Sequence, residues 1–205
     1  PGMTFAPRFR PDGNGVVFTL DMNGNSEIYT MDLQSRARQR LTNHPAIDTS
    51  PSYSPDGGQI VFRSTSESIG LLYRQAADGG SQGRRVLTFE GARSAGIQSI
   101  AVTATDWTPD AKTILFSVPS QATGFDIWAH PASAEGSPKP LLATPGDQGH
   151  ANISPDGKQL AYSSNESGKF EVYVQTFPLS GRKAQVSTAG GFEPRWRADG
   201  REIYY

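Results

Sequence analysis

The sequence predicts an all-β fold: a five-bladed β-propeller of four-stranded antiparallel blades, the last blade incomplete. Three observations predict it. A Pro-Asp-Gly-like tripeptide recurs five times, aromatic residues recur at fixed offsets from it, and the composition is lean in apolar residues and rich in turn formers. Of 205 residues, 36% are hydrophobic, against 22 Gly and 15 Pro. That balance suits many short strands joined by tight turns and argues against long helices.

The tripeptide anchors are Pro11-Asp12-Gly13, Pro55-Asp56-Gly57, Pro109-Asp110-Ala111, Pro155-Asp156-Gly157 and Ala198-Asp199-Gly200, at intervals of 44, 54, 46 and 43 residues. Such spacing is that of propeller blades of four strands each. Two residues before each anchor stand Phe9, Tyr53, Trp107, Ile153 and Trp196; five after it come Phe18, Phe62, Phe116, Tyr162 and Tyr205. An apolar-aromatic pair follows at Ile28-Tyr29, Leu72-Tyr73, Ile127-Trp128 and Val172-Tyr173. A fourth strand is expected at Leu41-Thr42, Leu87-Thr88, Leu142-Ala143 and Val186-Ser187.

Each element has a local cause. Asp-Gly closes the hairpin between first and second strands, because Gly takes positive φ cheaply and Asp bonds nearby amides. Looser turns such as Asn23-Gly24-Asn25 lead into the third strand. A lone four-stranded sheet cannot cover both of its apolar faces, so stacked blades bury the repeating aromatics between them. The blades are expected at about 4–44, 45–90, 104–146 and 147–189, with a half blade at 190–205, all in one domain spanning 1–205. Residues 89–103 are an insertion that the repeat does not explain, and non-repeat insertions often map to a binding face. Ala111 replaces the anchor glycine of the third unit.

The remaining composition narrows the function classes. Net charge is −1, from 19 basic and 20 acidic residues spread along the chain, so no basic stripe invites nucleic acid. The absence of cysteine removes disulfides and thiolate metal sites. No apolar run reaches the roughly 18 residues of a membrane helix, so no membrane insertion is expected. Pro1-Gly2-Met3 has no signal-peptide character. No Gly-x-Ser-x-Gly elbow and no phosphate-binding Gly-rich loop occurs. The chain therefore reads as a non-catalytic scaffold, with no cofactor and no metal.

The repeat resembles the TolB-like, WD-repeat-like propeller family with its Pro-Asp-Gly repeats. The resemblance is strongest over residues 14–62. Asn25-Ser26-Glu27-Ile28-Tyr29-Thr30-Met31-Asp32-Leu33 and Leu41-Thr42-Asn43 resemble that family's blade body. Ala46-Ile47-Asp48-Thr49-Ser50-Pro51-Ser52-Tyr53-Ser54-Pro55-Asp56-Gly57 resembles the start of its next blade. Beyond these, residues 70–205 are similar to divergent propellers fused to membrane kinases or regulators. Family members are periplasmic and bind a peptidoglycan-associated lipoprotein at one end of the ring. The resemblance implies a periplasmic, protein- or peptide-binding scaffold, or alternatively a propeller domain detached from a larger peptidase or sensor kinase. The half blade and the change of character near residue 65 leave open a fragment or an engineered recombination of two propellers, with no selected function. The half blade also predicts self-association through Ile203-Tyr204-Tyr205.

Binding in such a fold is expected at one end of the channel, where loops lead into the inner strands. Alignment on the anchors makes Ala6, Ser50, Ala104, His150 and Glu193 equivalent, with Asp48, Gln148 and Gly191 two residues upstream. Asp48, Ser50, His150 and Glu193 are the candidate partner-binding residues. The five anchor aspartates are expected to serve their turns, not a metal.

Overall fold

The computed structural model describes residues 2–66, 71–97 and 102–205. The chain divides into two compact units, the first centred on Pro1–Gly91 and the second on Thr105–Tyr205.

The first unit holds two four-stranded sheets. Blade 1 comprises β1 (Met3–Phe9), β2 (Gly15–Met22), β3 (Asn25–Asp32) and β4 (Arg38–Arg40), and blade 2 comprises β5 (Asp48–Tyr53), β6 (Gln59–Ser64), β7 (Leu71–Ala76) and β8 (Arg84–Arg85). A six-residue helix, α1 (Phe89–Ser94), opens the predicted insertion, and the Thr88 hydroxyl accepts the Gly91 amide near its start at 3.0 Å. Part of that insertion, residues 98–101, lies outside the described residues.

The second unit holds blade 3, of β9 (Thr103–Trp107), β10 (Thr113–Ser120), β11 (Gly124–Pro131) and β12 (Lys139–Leu142), and blade 4, of β13 (Gln148–Ile153), β14 (Gln159–Ser164), β15 (Glu171–Thr176) and β16 (Lys183–Gln185). After them come β17 (Arg195–Trp196) and β18 (Ile203–Tyr204), a two-stranded sheet. The count of five blades is thereby corrected to four. The fifth anchor forms its hairpin, and among the described residues that hairpin pairs with no third strand.

Every sheet is a meander in sequence order, its described pairs antiparallel, as short turns between consecutive strands require. The anchor turn repeats almost atom for atom. In blade 2 the Gly57 amide bonds the Ser54 carbonyl at 2.8 Å, and the Ser54 amide bonds the Gln59 carbonyl at 2.9 Å. Pro55 pre-sets the backbone angle of the turn, and Gly57 takes φ of 70°. Each anchor aspartate accepts the amide two residues on: Asn14, Gly58, Lys112, Lys158 and Arg201, at 2.9–3.1 Å. Ala111 is held at φ of 57°, the left-handed region its glycine counterparts occupy without a Cβ penalty.

The repeating aromatics pack as cross-strand pairs. Phe18–Tyr29, Phe62–Tyr73 and Tyr162–Tyr173 stack with centroids 6.0, 6.1 and 5.9 Å apart. Burial comes from consecutive blades. Tyr53 and Ile60 of blade 2 cluster with Val17 and Ile28 of blade 1; Ile153 and Leu160 of blade 4 cluster with Leu115 and Ile127 of blade 3. Phe9 departs from this pattern and is 73% exposed. The residues that bury its counterpart Tyr53 come from the preceding blade, and blade 1 has no such neighbour among the described residues of its unit.

The fourth strands correct the sequence alignment by one residue in blades 2 and 3. Leu41, Val86 and Val186 donate equivalent amides to the carbonyls of Ile28, Leu72 and Val172. Tyr29 pairs with Arg40 and Trp128 with Pro140. The structural equivalents of Leu41-Thr42 are therefore Val86-Leu87, Leu141-Leu142 and Val186-Ser187.

Candidate functional site

The first strands of blades 1, 2 and 4 each carry a bulge. Pairing shifts between Phe5 and Arg8, Thr49 and Ser52, and Gly149 and Asn152. At its centre sit Ala6, Ser50 and His150, with φ of 52°, 54° and 54°; Glu193, before β17, has 52°. Four of the five positions aligned from sequence thus share one left-handed backbone state, and Ala104 does not. Non-glycine residues enter that state at a cost of about 1–2 kcal/mol each, so the surroundings must impose it. Part of that constraint comes from the preceding blade. The Ser50 amide donates to the Thr19 hydroxyl at 3.2 Å, and the Glu193 amide to the Ser163 hydroxyl at 3.1 Å. Thr19 and Ser163 occupy the same place, six residues past their anchor glycines.

In the second unit the bulge gathers a mixed polar and aromatic cluster. His150 Nε2 lies 3.8 Å from Glu193 Oε1. The His150 ring sits 4.2 Å from that of Phe192, which meets Phe170 edge-on at 5.1 Å. Phe170 and Phe192 are 37% and 45% exposed. The structure brings two of the four candidate residues together here, with two phenylalanines that the anchor alignment passes over because they lie outside its registers.

In the first unit Asp48 and Ser50 part company. Ser50 rides the bulge, half-buried. Asp48, expected as a loop residue, is 3% exposed at the start of β5, opposite Ser64. Burial raises its carboxyl above the usual range; Ser64 and Thr42 beside it draw it back, Glu27 pushes it up, and His44 lowers it. Its Oδ1 meets no hydrogen-bond partner among the described residues. It lines a cleft of about 580 Å³ whose other walls include His44, Phe62, Tyr73 and Gln75.

Two further polar arrangements were missed from sequence. The first is a clasp between third and fourth strands. The Thr42 hydroxyl donates to Glu27 Oε2 at 2.5 Å and accepts the Ile28 amide at 2.9 Å. Asn25, Arg40 and the His44 amide also donate to Glu27, at 3.0, 2.6 and 3.1 Å. Blade 4 repeats the clasp with Ser187, which donates to Glu171 and accepts the Val172 amide at 2.7 Å. Serine and lysine partners hold Glu171 below the usual carboxylate range. Blade 2 places Leu71 and Leu87 at these positions, an apolar pair in the same frame. Blade 3 mixes the two solutions: Asp126 takes the acid position and Leu142 the position of the hydroxyl. Asp126 is 4% exposed, its Oδ1 is without a partner among the described residues, and burial raises its pKa. The legible signal was the acid preceding the apolar-aromatic pair in Glu27-Ile28-Tyr29, Asp126-Ile127-Trp128 and Glu171-Val172-Tyr173.

The second is a stitch across β9, β13 and β17. Asp106 Oδ2 accepts Asn152 Nδ2 at 2.9 Å and the Ile153 amide at 2.7 Å. Asn152 in turn accepts the Trp196 amide at 2.9 Å through its side chain, and its carbonyl accepts the Trp196 indole at 3.1 Å. Burial lifts the half-buried Asp106 to about 6, while these donors and nearby Arg195 draw it down. Among the described residues no group of three or more His, Asp or Glu is placed to hold a metal ion.

Residues 1–101 match the family model described as the TolB beta propeller domain. The structure of TolB from Acinetobacter baumannii superposes on 92% of the chain with a TM-score of 0.72 at 26% identity, over 44% of that protein. The first half of the chain is similar to the TolB propeller domain. The TolB-like fold extends over the chain's whole length: a putative TolB from Agrobacterium tumefaciens aligns with 99% of it at a TM-score of 0.81, with 19% identity and 69% of that chain covered. An uncharacterized protein of Agrobacterium fabrum is 27% identical over 165 residues, which are 74% of this propeller and 52% of the relative. The TolB-like chain thus spans about half the length of that curated relative. No helix among its described residues is long and apolar enough to cross a membrane.

Proposed function

We propose that this TolB-like propeller is a non-catalytic scaffold that binds a protein or peptide at the bulged ends of its first strands. The observation that carries the reading is the cluster of His150, Glu193, Phe192 and Phe170. The bulge fixes a constant backbone, while the side chains it presents vary from blade to blade as Ala6, Ser50, His150 and Glu193. A constant frame with variable presented residues is how repeat folds build recognition surfaces. Exposed aromatic rings flanked by a titratable pair are the composition of an interface hot spot. In this reading Phe192 and Phe170 supply the apolar anchor, Glu193 and His150 its polar rim, and Ser50 the equivalent contact of the first unit.

A periplasmic setting and a peptidoglycan-associated lipoprotein are the partner chemistry that the TolB resemblance favours. The test is calorimetric titration of the chain with the soluble domain of such a lipoprotein from the same source. Phe192→Ala is expected to weaken binding by roughly tenfold or more, and Glu193→Ala by less. Equal affinity of wild type and Phe192→Ala, with both proteins folded, would place any binding elsewhere.

A further inference from the structure

We propose that the cleft of the first unit is a binding site for a primary ammonium group, such as a lysine side chain, with Asp48 as its anchor. The first support is an unmet acceptor. Asp48 is buried at the wall of the cleft, and its Oδ1 accepts no hydrogen bond from the described residues. Leaving a buried carboxylate oxygen unsatisfied carries a substantial desolvation penalty.

The second support is a comparison within the chain. Blade 4 carries Gln148 at the equivalent position, also opposite a serine, Ser164. Its Nε2 donates to the carbonyls of Thr144 and Gly146 at 3.0 and 2.6 Å, and its Oε1 accepts the Thr144 amide at 3.2 Å. Gln148 therefore satisfies itself against its own loop. A carboxylate has no donors to give that loop, and although Ser64 and Thr42 draw on Asp48, its Oδ1 is left without a donor.

The third support is charge. Around Asp48 stand Ser64, Thr42, Glu27 and His44, with Arg40 paired to Glu27. Arg40 is committed to Glu27 at 2.6 Å and to the Thr42 carbonyl at 2.8 Å. His44 Nδ1 accepts the Ala46 amide at 3.1 Å, which places its ring proton on Nε2 in the neutral form. Glu27 and Arg40 offset each other, and the charge of Asp48 is left uncompensated. A cation answers that imbalance where a neutral donor does not. Phe62 and Tyr73 on the cleft wall suit an ammonium with an alkyl stem.

This inference is independent of the reading at His150 and Phe192, which lie in the other unit, so either can fail alone. The test is an NMR titration of the full chain with Nα-acetyl-lysine methylamide, following the Asp48 carboxyl carbon and the Tyr73 ring. Nα-acetyl-norleucine methylamide and calcium chloride serve as comparison titrants. Saturable shifts with the lysine probe, about tenfold weaker or absent with the norleucine probe, support the site. Asp48→Gln, the residue blade 4 uses, is expected to fold and to abolish the lysine response. Equal response to both amides, an unchanged response in Asp48→Gln, no saturable response, or tighter binding of calcium at Asp48 would each overturn it.

Discussion

The mismatch of Asp126 and Leu142 gives a prediction that can be worked through from the structure. Blades 1 and 4 pair a carboxylate with a hydroxyl, and blade 2 pairs Leu71 with Leu87. Converting blade 3 to the blade 2 solution, Asp126→Leu, removes a buried oxygen with no partner. That relief is worth about 1–3 kcal/mol. Burying leucine adds roughly 1.5–3 kcal/mol, and the extra volume in a packed sheet subtracts about 1–3 kcal/mol. Losing the bonds that Thr123 and Ser120 give this carboxyl subtracts about 0.5–1.5 kcal/mol more, so the net expectation is a gain of about 1 kcal/mol, or roughly 2–4 °C in Tm for a chain of this size. Urea and thermal unfolding followed by Trp128 fluorescence read it directly. The pH dependence supplies a second check. A carboxyl raised by burial favours the folded state below its unfolded pKa, and that contribution is lost as pH rises through the folded value. The advantage of Asp126→Leu should therefore be larger at pH 7 than at pH 4. A variant less stable than wild type, or an advantage that shrinks with rising pH, would refute the reasoning.

Three other predictions follow from the same repeats. Thr42→Ala strands both Glu27 and the Ile28 amide and should cost about 2–3 kcal/mol in urea unfolding, while Thr42→Ser should keep most of the clasp. Ala111→Gly relieves a left-handed alanine and should raise stability by about 0.5–1 kcal/mol by the same assay, the gain reduced by glycine's greater freedom when unfolded. Hydrogen bonds from arginine hold Asp12 and Asp199 at about 2, and Asp56, Asp110 and Asp156 are lowered by bonds from Ser54, Thr108 and Ser154. A depressed carboxylate stabilises above its unfolded pKa, so unfolding at fixed temperature should show stability falling as pH drops from about 4 towards 2.

The blade pattern was legible because its anchor combines Pro, Asp and Gly, each with one local job that tertiary context does not override. The bulge positions were legible too: alignment from the anchors made Ala6, Ser50, His150 and Glu193 equivalent, and they share one backbone conformation. The fourth strands were not. They are two to four residues long, and the doublets Val86-Leu87 and Leu141-Leu142 offer two apolar frames that only the amide partners distinguish. Asp48 reads as a loop residue because nothing local marks a carboxylate as buried when the groups around it are Ser64 on β6, Glu27 on β3, and Thr42 and His44 after β4. The number of four-stranded blades among the described residues, four, required the strand pairing itself.

The bulged strand ends of this TolB-like propeller are proposed as a protein-recognition surface. Hydrogen exchange of the chain with and without a lipoprotein domain, at saturating partner, tests it most directly. Added protection is expected at residues 148–152 and 190–195, with the anchor turns at 109–111 and 155–157 unchanged. Protection at the anchor turns with none at the bulges would contradict it.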